Sequence, residues 1–178
     1  MKATVFRTPG LGDNSYVFCY GETGIVVDPQ RDFRRFLGAV DEAGVEARYV
    51  LETHLHNDYL SGGRQLAQAL GAELVLPAGA GAMFSYRPAF HLEELDAGAF
   101  SIRPLHTPGH TPEHVSYLIL VDEKPAAVFS GGSLLVGAAG RTDLLGLDRA
   151  ESLVRLQYLS VRRLAQLPAE VELYPTHG

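Results

Sequence analysis

The positions of the histidines constrain this chain more than any other feature of its sequence. Five of the seven lie where segments with the sequence of a β-strand end: His54, His56, His106, His110 and His177. Loops at strand ends are where a rigid scaffold presents functional side chains. If these imidazoles act together, the fold must bring the ends of several strands to one edge.

Alternating or continuous apolar runs predict the strands. They cover residues 3–6, 15–20, 24–27, 49–53, 73–76, 100–105, 114–121, 126–129 and 171–174. Asp13 and Asn14, between the first two runs, are interpreted as turn residues. Helical segments separate several of the strands, and this order favours an α/β sandwich with the sheets inside and the helices outside.

Three helices are predicted from apolar spacing and end signals. The first carries Phe33, Phe36, Leu37 and Val40 on one face and ends at Gly44. The second covers residues 63–70 and ends at Gly71. The third is expected to begin at Asp148, with Glu151 completing a capping box. It is expected to turn three leucines inward: Leu153, Leu156 and Leu164.

Composition narrows the class of protein. A length of 178 residues suits one domain, taken as residues 1–178. The net charge of -6 argues against nucleic acid or an anionic membrane as a partner. No apolar run predicts a secretory signal or a membrane span, so the cytoplasm is the expected location. Cys19 is the single cysteine, which excludes an internal disulfide and predicts a buried, inert thiol.

Three histidines are the candidate metal ligands. Residues two apart in an extended chain point to one side, so His54 and His56 can converge on one ion. Pro108 and Gly109 predict a type II turn that directs His110. A pair of this kind is weak evidence alone, and the combination with the second motif about fifty residues later carries the prediction. Three neutral imidazoles with an open fourth position are typical of catalytic zinc or iron.

The other candidate residues have structural or solvent-exposed roles as alternatives to a role in the site. His91, beside two glutamates, is expected to be solvated. His106 and His114 flank the predicted turn. They are expected to be structural, or to contact a metal-binding side chain without binding the metal themselves. Asp28 ends a strand and is either a turn or cap residue, or it orients a ligand.

Five segments resemble the motifs of the metallo-β-lactamase superfamily over essentially the whole chain. They are residues 26–29, 53–59, 107–111, 129–132 and 174–178. The resemblance implies the superfamily's αββα sandwich. It also implies a metal cleft at one edge, formed by the loops after Thr53, Thr107, Phe129 and Pro175.

Two further stretches point to one branch of that superfamily. Residues 137–144 are similar to the Gly-Arg-Thr-Asp stretch of the persulfide dioxygenase and glyoxalase II branches. Residues 105–114 are more similar to the persulfide dioxygenases, including a bacterial subgroup in which rhodanese domains follow. The resemblance therefore implies sulfur metabolism.

Two departures from the family pattern lie at the metal site. Tyr59 stands where the family has a histidine for the second metal, and Gly132 where it has a metal-binding carboxylate. A second ion would keep only Asp58 and His177, so the sequence predicts one ion, Fe(II) or Zn(II). Tyr59 is interpreted as a structural hydroxyl, with phenolate binding of ferric iron as the alternative.

Three functions remain open from the sequence. The first is iron-dependent oxidation of a small persulfide, with Asp58 orienting water or accepting a proton. In that scheme Arg141 meets an anionic group of the thiol carrier, although a structural pair with Asp143 is an equal alternative. The second is a zinc thioester hydrolase with Asp58 as the base. The third is a non-catalytic scaffold for sulfurtransferase domains.

The end of the chain carries one more expectation. No closing helix follows the last motif, and the fold needs one to cover a sheet face. We expect the native protein to continue beyond Gly178, with rhodanese domains as the candidate continuation. If it does not, a homo-oligomer is expected to cover the exposed face.

Overall fold

A computed structural model describes residues 1–177, and the expected continuation beyond Gly178 lies outside the described residues. The strands are β1 (Lys2–Thr8), β2 (Asp13–Tyr20), β3 (Thr23–Val27), β4 (Glu46–Leu51), β5 (Glu73–Pro77), β6 (Arg87–Ala89), β7 (Leu95–Asp96), β8 (Ser101–His106), β9 (Val115–Val121), β10 (Lys124–Gly131), β11 (Leu134–Leu135), β12 (Ala138–Ala139) and β13 (Glu172–Pro175). The helices are α1 (Arg34–Ala43), α2 (Gly63–Leu70) and α3 (Leu147–Leu164).

Two sheets face each other. The first has the order β1-β2-β3-β4-β5-β6 and the second the order β13-β10-β9-β8-β7, while β11 and β12 form a separate short hairpin. Side chains of both sheets fill one core between them. Helices α1 and α2 pack on the outer face of the first sheet, and α3 packs on the outer face of the second. The predicted αββα sandwich is confirmed.

The alternation along each strand explains the two layers of core. In β2, Tyr16 and Phe18 point into the space between the sheets, whereas Val17 lies under the outer helices. In β3, Ile25 faces inward and Val26 outward. A strand with helices on one side and a sheet on the other buries both faces, which is why these segments read as continuous apolar runs.

The helix ends agree with the sequence only in part. Gly44 and Gly71 end α1 and α2 with left-handed backbone, as predicted. The capping box on α3 is wrong, because this helix has no side-chain cap and Glu151 pairs instead with Arg155 at 2.7 Å. Leu156 is 39% exposed, so its predicted inward orientation is also wrong.

The buried stripe of α3 explains that error. It consists of Leu153, Gln157, Ser160 and Leu164, which are spaced by four, three and four residues. Leu156 lies beside the stripe rather than in it, because successive helical residues are rotated by about 100°. None of the helices among residues 1–177 is both long and apolar enough to cross a membrane.

Hydrogen bonds gather four strand-end loops at one edge of the sandwich. The Val115 N–H donates to the Thr53 carbonyl at 2.8 Å, which joins the start of β9 to the loop after β4. The Thr176 N–H donates to the Gly131 carbonyl at 3.0 Å, which joins the loop after β13 to the end of β10. This edge holds the clustered histidines.

Candidate metal centre

Three imidazoles converge at this edge. Nitrogen atoms of His54, His110 and His177 lie within 4.8 Å of one another. The ring centroids are 4.9 Å apart for His54 and His110, 5.4 Å for His54 and His177, and 5.2 Å for His110 and His177. The rings thus form a nearly equilateral triangle, with each ring supplied by a different strand-end loop.

The Nδ1 atom of His54 is held by a hydroxyl of the same loop. Thr53 Oγ1 lies 2.9 Å from this nitrogen and donates its own hydrogen to Asp28 Oδ2 at 2.7 Å. The hydroxyl can therefore only accept from the imidazole, so His54 carries its proton on Nδ1. Its Nε2 keeps a free lone pair, and this atom lies 3.5 Å from Nε2 of His177.

The other two rings are held in the same tautomer by different partners. His110 Nδ1 donates to the backbone carbonyl of Arg141 at 2.9 Å. His177 Nδ1 donates to Asp13 Oδ1 at 2.8 Å. Metal-binding histidines commonly donate the second ring N–H to a carbonyl or carboxylate in this way. Each of the three rings is therefore arranged to offer Nε2 to an ion.

Burial favours the neutral form of two of these rings, those of His54 and His110. Burial lowers the pKa of His54 well below its usual value, and neighbouring imidazoles lower it further. Burial also lowers the pKa of His110, against the hydrogen bond to Arg141. A metal needs the unprotonated imidazole, so these shifts keep the ligands ready near neutral pH. Three such rings suit Zn²⁺ or Fe²⁺.

His56, predicted from the sequence to complete the ligand set, has different surroundings. Its Nε2 lies 3.2 Å from Asp28 Oδ1 and 3.4 Å from Glu52 Oε2. Among the described residues its nitrogens form a group with Asp28 and His54, and not with His110. The structure thus brings His177, predicted for a second site, to the third position. Ligation by His56 stays a prediction from the sequence.

The two carboxylates also set the charge of His56. Burial alone would lower the pKa of this side chain, which is only 2% exposed. The negative charges of Asp28 and Glu52 outweigh burial and raise the pKa of His56 to about 10. The Nε2 side of His56 thus faces the two carboxylates, while its Nδ1 atom is buried and contacts no hydrogen-bond partner among the described residues.

Tyr59 closes over this ring. The two rings are stacked with centroids 4.2 Å apart, and the Tyr59 hydroxyl donates to the Asp28 carbonyl at 3.1 Å. Burial raises the pKa of Tyr59 well above its usual value, so the phenolate form is disfavoured. These contacts support the structural interpretation of Tyr59 over binding of ferric iron.

Asp28 connects the two histidine environments. Its carboxylate accepts from the Thr53 N–H at 2.7 Å and from the hydroxyls of Thr53 and Thr176. Thr176 directly precedes His177, so one buried carboxylate fixes two of the site loops. This arrangement supports the interpretation of Asp28 as an orienting residue.

Asp58 lies at the open side of the cluster. The Asp58 side chain is 33% exposed, with Oδ2 3.7 Å from His177 Nδ1 and Oδ1 3.9 Å from His56 Nδ1. It forms a further group of potential ligands with Asp13 and His177. Asp13 was missed as a site residue: its interpretation as a turn residue is wrong, because it begins β2 and is buried. Burial raises the pKa of Asp13 above its usual value.

Gly132 has no room for a side chain beside the His110 ring. A Cβ atom at this position would lie 2.6 Å from Nε2 of His110, so the His110 ring occupies that space. The Gly132 N–H donates to His114 Nε2 at 3.0 Å, and His114 Nδ1 in turn contacts Thr107 Oγ1 at 2.9 Å. His114 is fully buried and supports the loop from behind.

The loop that carries His110 differs from the expected turn. Gly109 has φ +144°, outside the type II range, so that prediction is wrong. The His110 N–H donates to Gln157 Oε1 at 2.9 Å, and Gln157 Nε2 donates to the Ser133 carbonyl at 2.5 Å. A Cβ at Gly109 would lie 2.5 Å from the Gln157 Cα, so glycine permits this approach of α3. The polar residue in the buried stripe was the signal for Gln157.

Arg141 contributes its backbone to the site. The side chain is 65% exposed and binds Asp143 through two hydrogen bonds of 2.8 and 2.9 Å. The structural pair weighed from the sequence is therefore present.

A cavity of about 330 Å³ opens beside the cluster; its lining includes Asn57, Asp58, His110, Leu135, Arg141, Leu144 and His177. His91 and His106 are exposed, and the backbone N–H of His106 donates to His91 Nδ1 at 3.2 Å.

The layered fold and the converging imidazoles define a metal-binding αββα protein. A family model described as the metallo-beta-lactamase superfamily matches residues 8–177, and the chain belongs to this superfamily. The chain is 35% identical over 146 residues to a human hydroxyacylglutathione hydrolase-like protein, covering 81% of this chain and 48% of that protein.

Two further comparisons are with proteins whose names give another activity. The chain is 29% identical over 177 residues to the mitochondrial persulfide dioxygenase ETHE1 of Bos taurus, covering 92% of this chain and 63% of that protein. The crystal structure of ETHE1 from Myxococcus xanthus superposes with a TM-score of 0.86 at 28% identity, covering 100% of this chain and 76% of that one. The chain thus spans about half to two thirds of the length of these curated relatives.

Proposed function

We propose that this protein is an iron-dependent enzyme that oxidises the terminal sulfur of a small persulfide at a mononuclear centre. The observation that carries the proposal is the set of three imidazoles, each with Nδ1 donated to a fixed partner and Nε2 free. His54, His110 and His177 would hold the ion. Bound Fe(II) would supply the redox chemistry with O₂.

The ligand set suits a single ion. Gly132 offers no side chain to bridge two metals, and Tyr59 is engaged with His56 and Asp28. Three neutral ligands leave the charge of a divalent ion uncompensated, which favours an anionic substrate such as a persulfide. Open coordination positions are what a reaction of two small molecules requires.

The chain's own residues would bind and deprotonate the substrate. The cavity beside the cluster is small and has apolar walls from Leu135 and Leu144, which suits a small thiol carrier. Asp58, at the open side, would accept the persulfide proton. The overall conversion of RSSH, O₂ and water to RSH, sulfite and two protons is balanced in atoms and charge.

A zinc thioester hydrolase is the second candidate. The hydroxyacylglutathione hydrolase-like relative has the higher sequence identity of the two, and this favours the hydrolase. In this case the same imidazoles would hold Zn(II), which lowers the pKa of bound water. Asp58 would accept the proton from that water.

Metal analysis and two activity assays decide between these candidates. Protein isolated without chelator is analysed for metals, then loaded anaerobically with Fe(II) or with Zn(II). We expect about one ion per chain, O₂ uptake with glutathione persulfide in the iron form, and His110→Ala as an inactive control. Hydrolysis of S-lactoylglutathione by the zinc form without persulfide oxidation would favour the hydrolase. Failure to bind any metal would favour the scaffold interpretation.

A further inference from the structure

Glu113 is a carboxylate outside the cluster of histidines that contacts two of the loops carrying them. Its Oε1 atom accepts from the Leu55 N–H at 3.0 Å and from the Thr111 hydroxyl at 2.9 Å. Leu55 directly follows His54, and Thr111 directly follows His110. One oxygen atom therefore joins the loop after β4 to the loop after β8.

The backbone around Glu113 sets the place of this carboxylate. The Thr107 N–H donates to the His114 carbonyl at 2.9 Å, which closes the base of the loop that carries His110. A Cβ atom at Gly79 would lie 3.3 Å from the Glu113 Cβ, so the loop after β5 packs against the stem of this side chain. Glu113 thus leaves a closed loop and is supported along its stem.

Asp28 makes the same kind of link on the other side of His54. Its carboxylate accepts hydroxyl hydrogen bonds from the residue before His54 and from the residue before His177. Glu113 accepts from the residue after His54 and from the residue after His110. The two carboxylates therefore join the three loops in series, with the loop of His54 in the middle.

The distance between two metal-binding rings matters because an ion fixes it. Each ligand nitrogen must lie about 2.1 Å from the ion, so loops that can separate must be drawn together when the ion binds. Hydrogen bonds to a charged carboxylate are roughly twice as strong as those between neutral groups, which suits Glu113 to hold two loops together beforehand. Glu113 belongs to none of the groups of potential metal ligands among the described residues.

We propose that Glu113 is a positioning residue that fixes the separation of His54 and His110 and thereby sets the affinity of the metal centre. The inference rests on the proposed metal centre and adds the link that holds two of its ligands together. It acts through the backbone of Leu55 and the hydroxyl of Thr111, and the carboxylate itself does not touch the ion.

Zinc titration tests this assignment without relying on activity. Competition with a chromophoric chelator gives the zinc dissociation constants of the wild-type protein, Glu113→Ala and Glu113→Gln. We expect Glu113→Ala to weaken zinc binding by about tenfold, as when a contact that orients a ligand is removed. Glu113→Gln should stay within about threefold of wild type, because its amide oxygen can accept from the same two donors. Glu73→Ala, at an exposed glutamate that pairs with Arg87, is the control and should bind zinc like the wild-type protein.

Two further measurements separate positioning of the rings from a general loss of stability. The Co(II) absorption bands should shift in Glu113→Ala, because the arrangement of the rings changes, and should match the wild-type bands in Glu113→Gln. Thr111→Val, which removes the hydroxyl donor, should weaken zinc binding about threefold in the wild-type background and by less than about 1.5-fold in Glu113→Ala, where the bond is already lost. Thr111→Ser keeps the hydroxyl and should bind zinc like the wild-type protein.

Each contrary outcome has a distinct meaning. Unchanged zinc affinity in Glu113→Ala, or a loss in Glu113→Gln as large as in Glu113→Ala, would overturn the role of Glu113 and leave the proposed function standing. A Glu113→Ala protein that is less stable but keeps the wild-type Co(II) bands and zinc affinity would overturn that role too. A wild-type protein that binds no metal would overturn the metal centre and this inference with it. Metal binding without persulfide oxidation, combined with the expected variant series, would overturn the proposed function alone.

Discussion

His54 and His56 are two residues apart, with ring centroids 4.0 Å apart, yet their environments have opposite effects. Around His54, hydroxyl and imidazole neighbours leave burial unopposed, and the pKa falls well below its usual value. Around His56, Asp28 and Glu52 overcome burial and raise the pKa to about 10. His54 meets a hydroxyl at Nδ1, whereas His56 meets two carboxylates at Nε2.

The partner of each ring therefore decides its role, whereas the local spacing does not. A hydroxyl that is already donating to Asp28 can only accept from His54. A pair of carboxylates instead stabilises the protonated form of His56. Substitutions around only one of the two histidines should therefore separate effects on metal affinity from effects on stability.

Removing a ligand imidazole should have the largest effect. His54→Ala, His110→Ala and His177→Ala should each weaken zinc binding by more than about 100-fold, because structural zinc gains roughly 3 kcal/mol or more per ligand. Competition with a chromophoric chelator measures the dissociation constants. The control is His91→Ala, which alters an exposed histidine outside the group of converging imidazoles. If His177→Ala bound zinc like the wild-type protein, the three-ring centre would be wrong.

Neutralising Asp28 should be the next largest change. Asp28→Asn removes the charge that faces His56 and weakens bonds to Thr53 and Thr176, so the free energy of unfolding should fall by about 3 kcal/mol or more. Urea denaturation of the metal-free protein measures it. Asp143→Asn, on the surface, should cause no measurable change. If Asp28→Asn lowered the free energy of unfolding no more than Asp143→Asn, the stabilising role of the Asp28–His56 ion pair would be contradicted.

A methyl group at Gly132 should disturb the cluster of His54, His110 and His177 and leave the surroundings of His56 unchanged. The Cβ of Gly132→Ala would lie 2.6 Å from His110 Nε2, so the ring must move and zinc affinity should fall by about tenfold. The same clash means that an aspartate here cannot restore a second metal without displacing His110. Isothermal titration measures the affinity, and Gly38→Ala on α1, where a Cβ meets open space and the backbone is not left-handed, is the control. Unchanged affinity would show that the His110 ring does not occupy this space.

The two environments should make the free energy of unfolding of the metal-free protein fall at both high and low pH. His56 has a folded pKa of about 10 against about 6.5 unfolded, so its contribution is complete below pH 6.5 and is lost as pH rises towards 10. His54 has a lowered pKa, so its contribution is present above about 6.5 and is lost as pH falls. Urea midpoints from pH 5 to 9.5 should trace a dome. His56→Asn should flatten the alkaline limb; a wild-type stability that rises from pH 7 to 9 would contradict the charged His56.

The sequence predicts the layers of the fold better than the roles of its histidines. Strand alternation and the glycines at Gly44 and Gly71 are local signals, and the structure confirms them. The short strands β6, β7, β11 and β12 were missed, because segments of two or three residues carry no measurable period. Cys19 is half-buried rather than fully buried, because it lies near the exposed end of β2.

The site residues that were missed depend on contacts between distant segments. Asp13 reaches His177 across 164 positions of sequence, and Gln157 reaches His110 across 47. The Nε2 atom of His56 contacts Glu52, which the sequence placed in an ordinary strand. Motif spacing therefore located the histidines, but tertiary contacts decided which rings meet.

The smallest effect on zinc affinity and stability is expected at Arg141, on the exposed side of His110. Arg141 holds His110 through its carbonyl, which any residue at this position retains, while its side chain pairs with Asp143 in solvent. Arg141→Ala should therefore leave zinc affinity and the unfolding midpoint unchanged. If the guanidinium also meets an anionic carrier, the KM for glutathione persulfide should rise several-fold at constant kcat, because uniform binding energy is lost. Arg149→Ala, on α3, is the control. A fall in zinc affinity would show that the side chain, and not the carbonyl alone, positions His110.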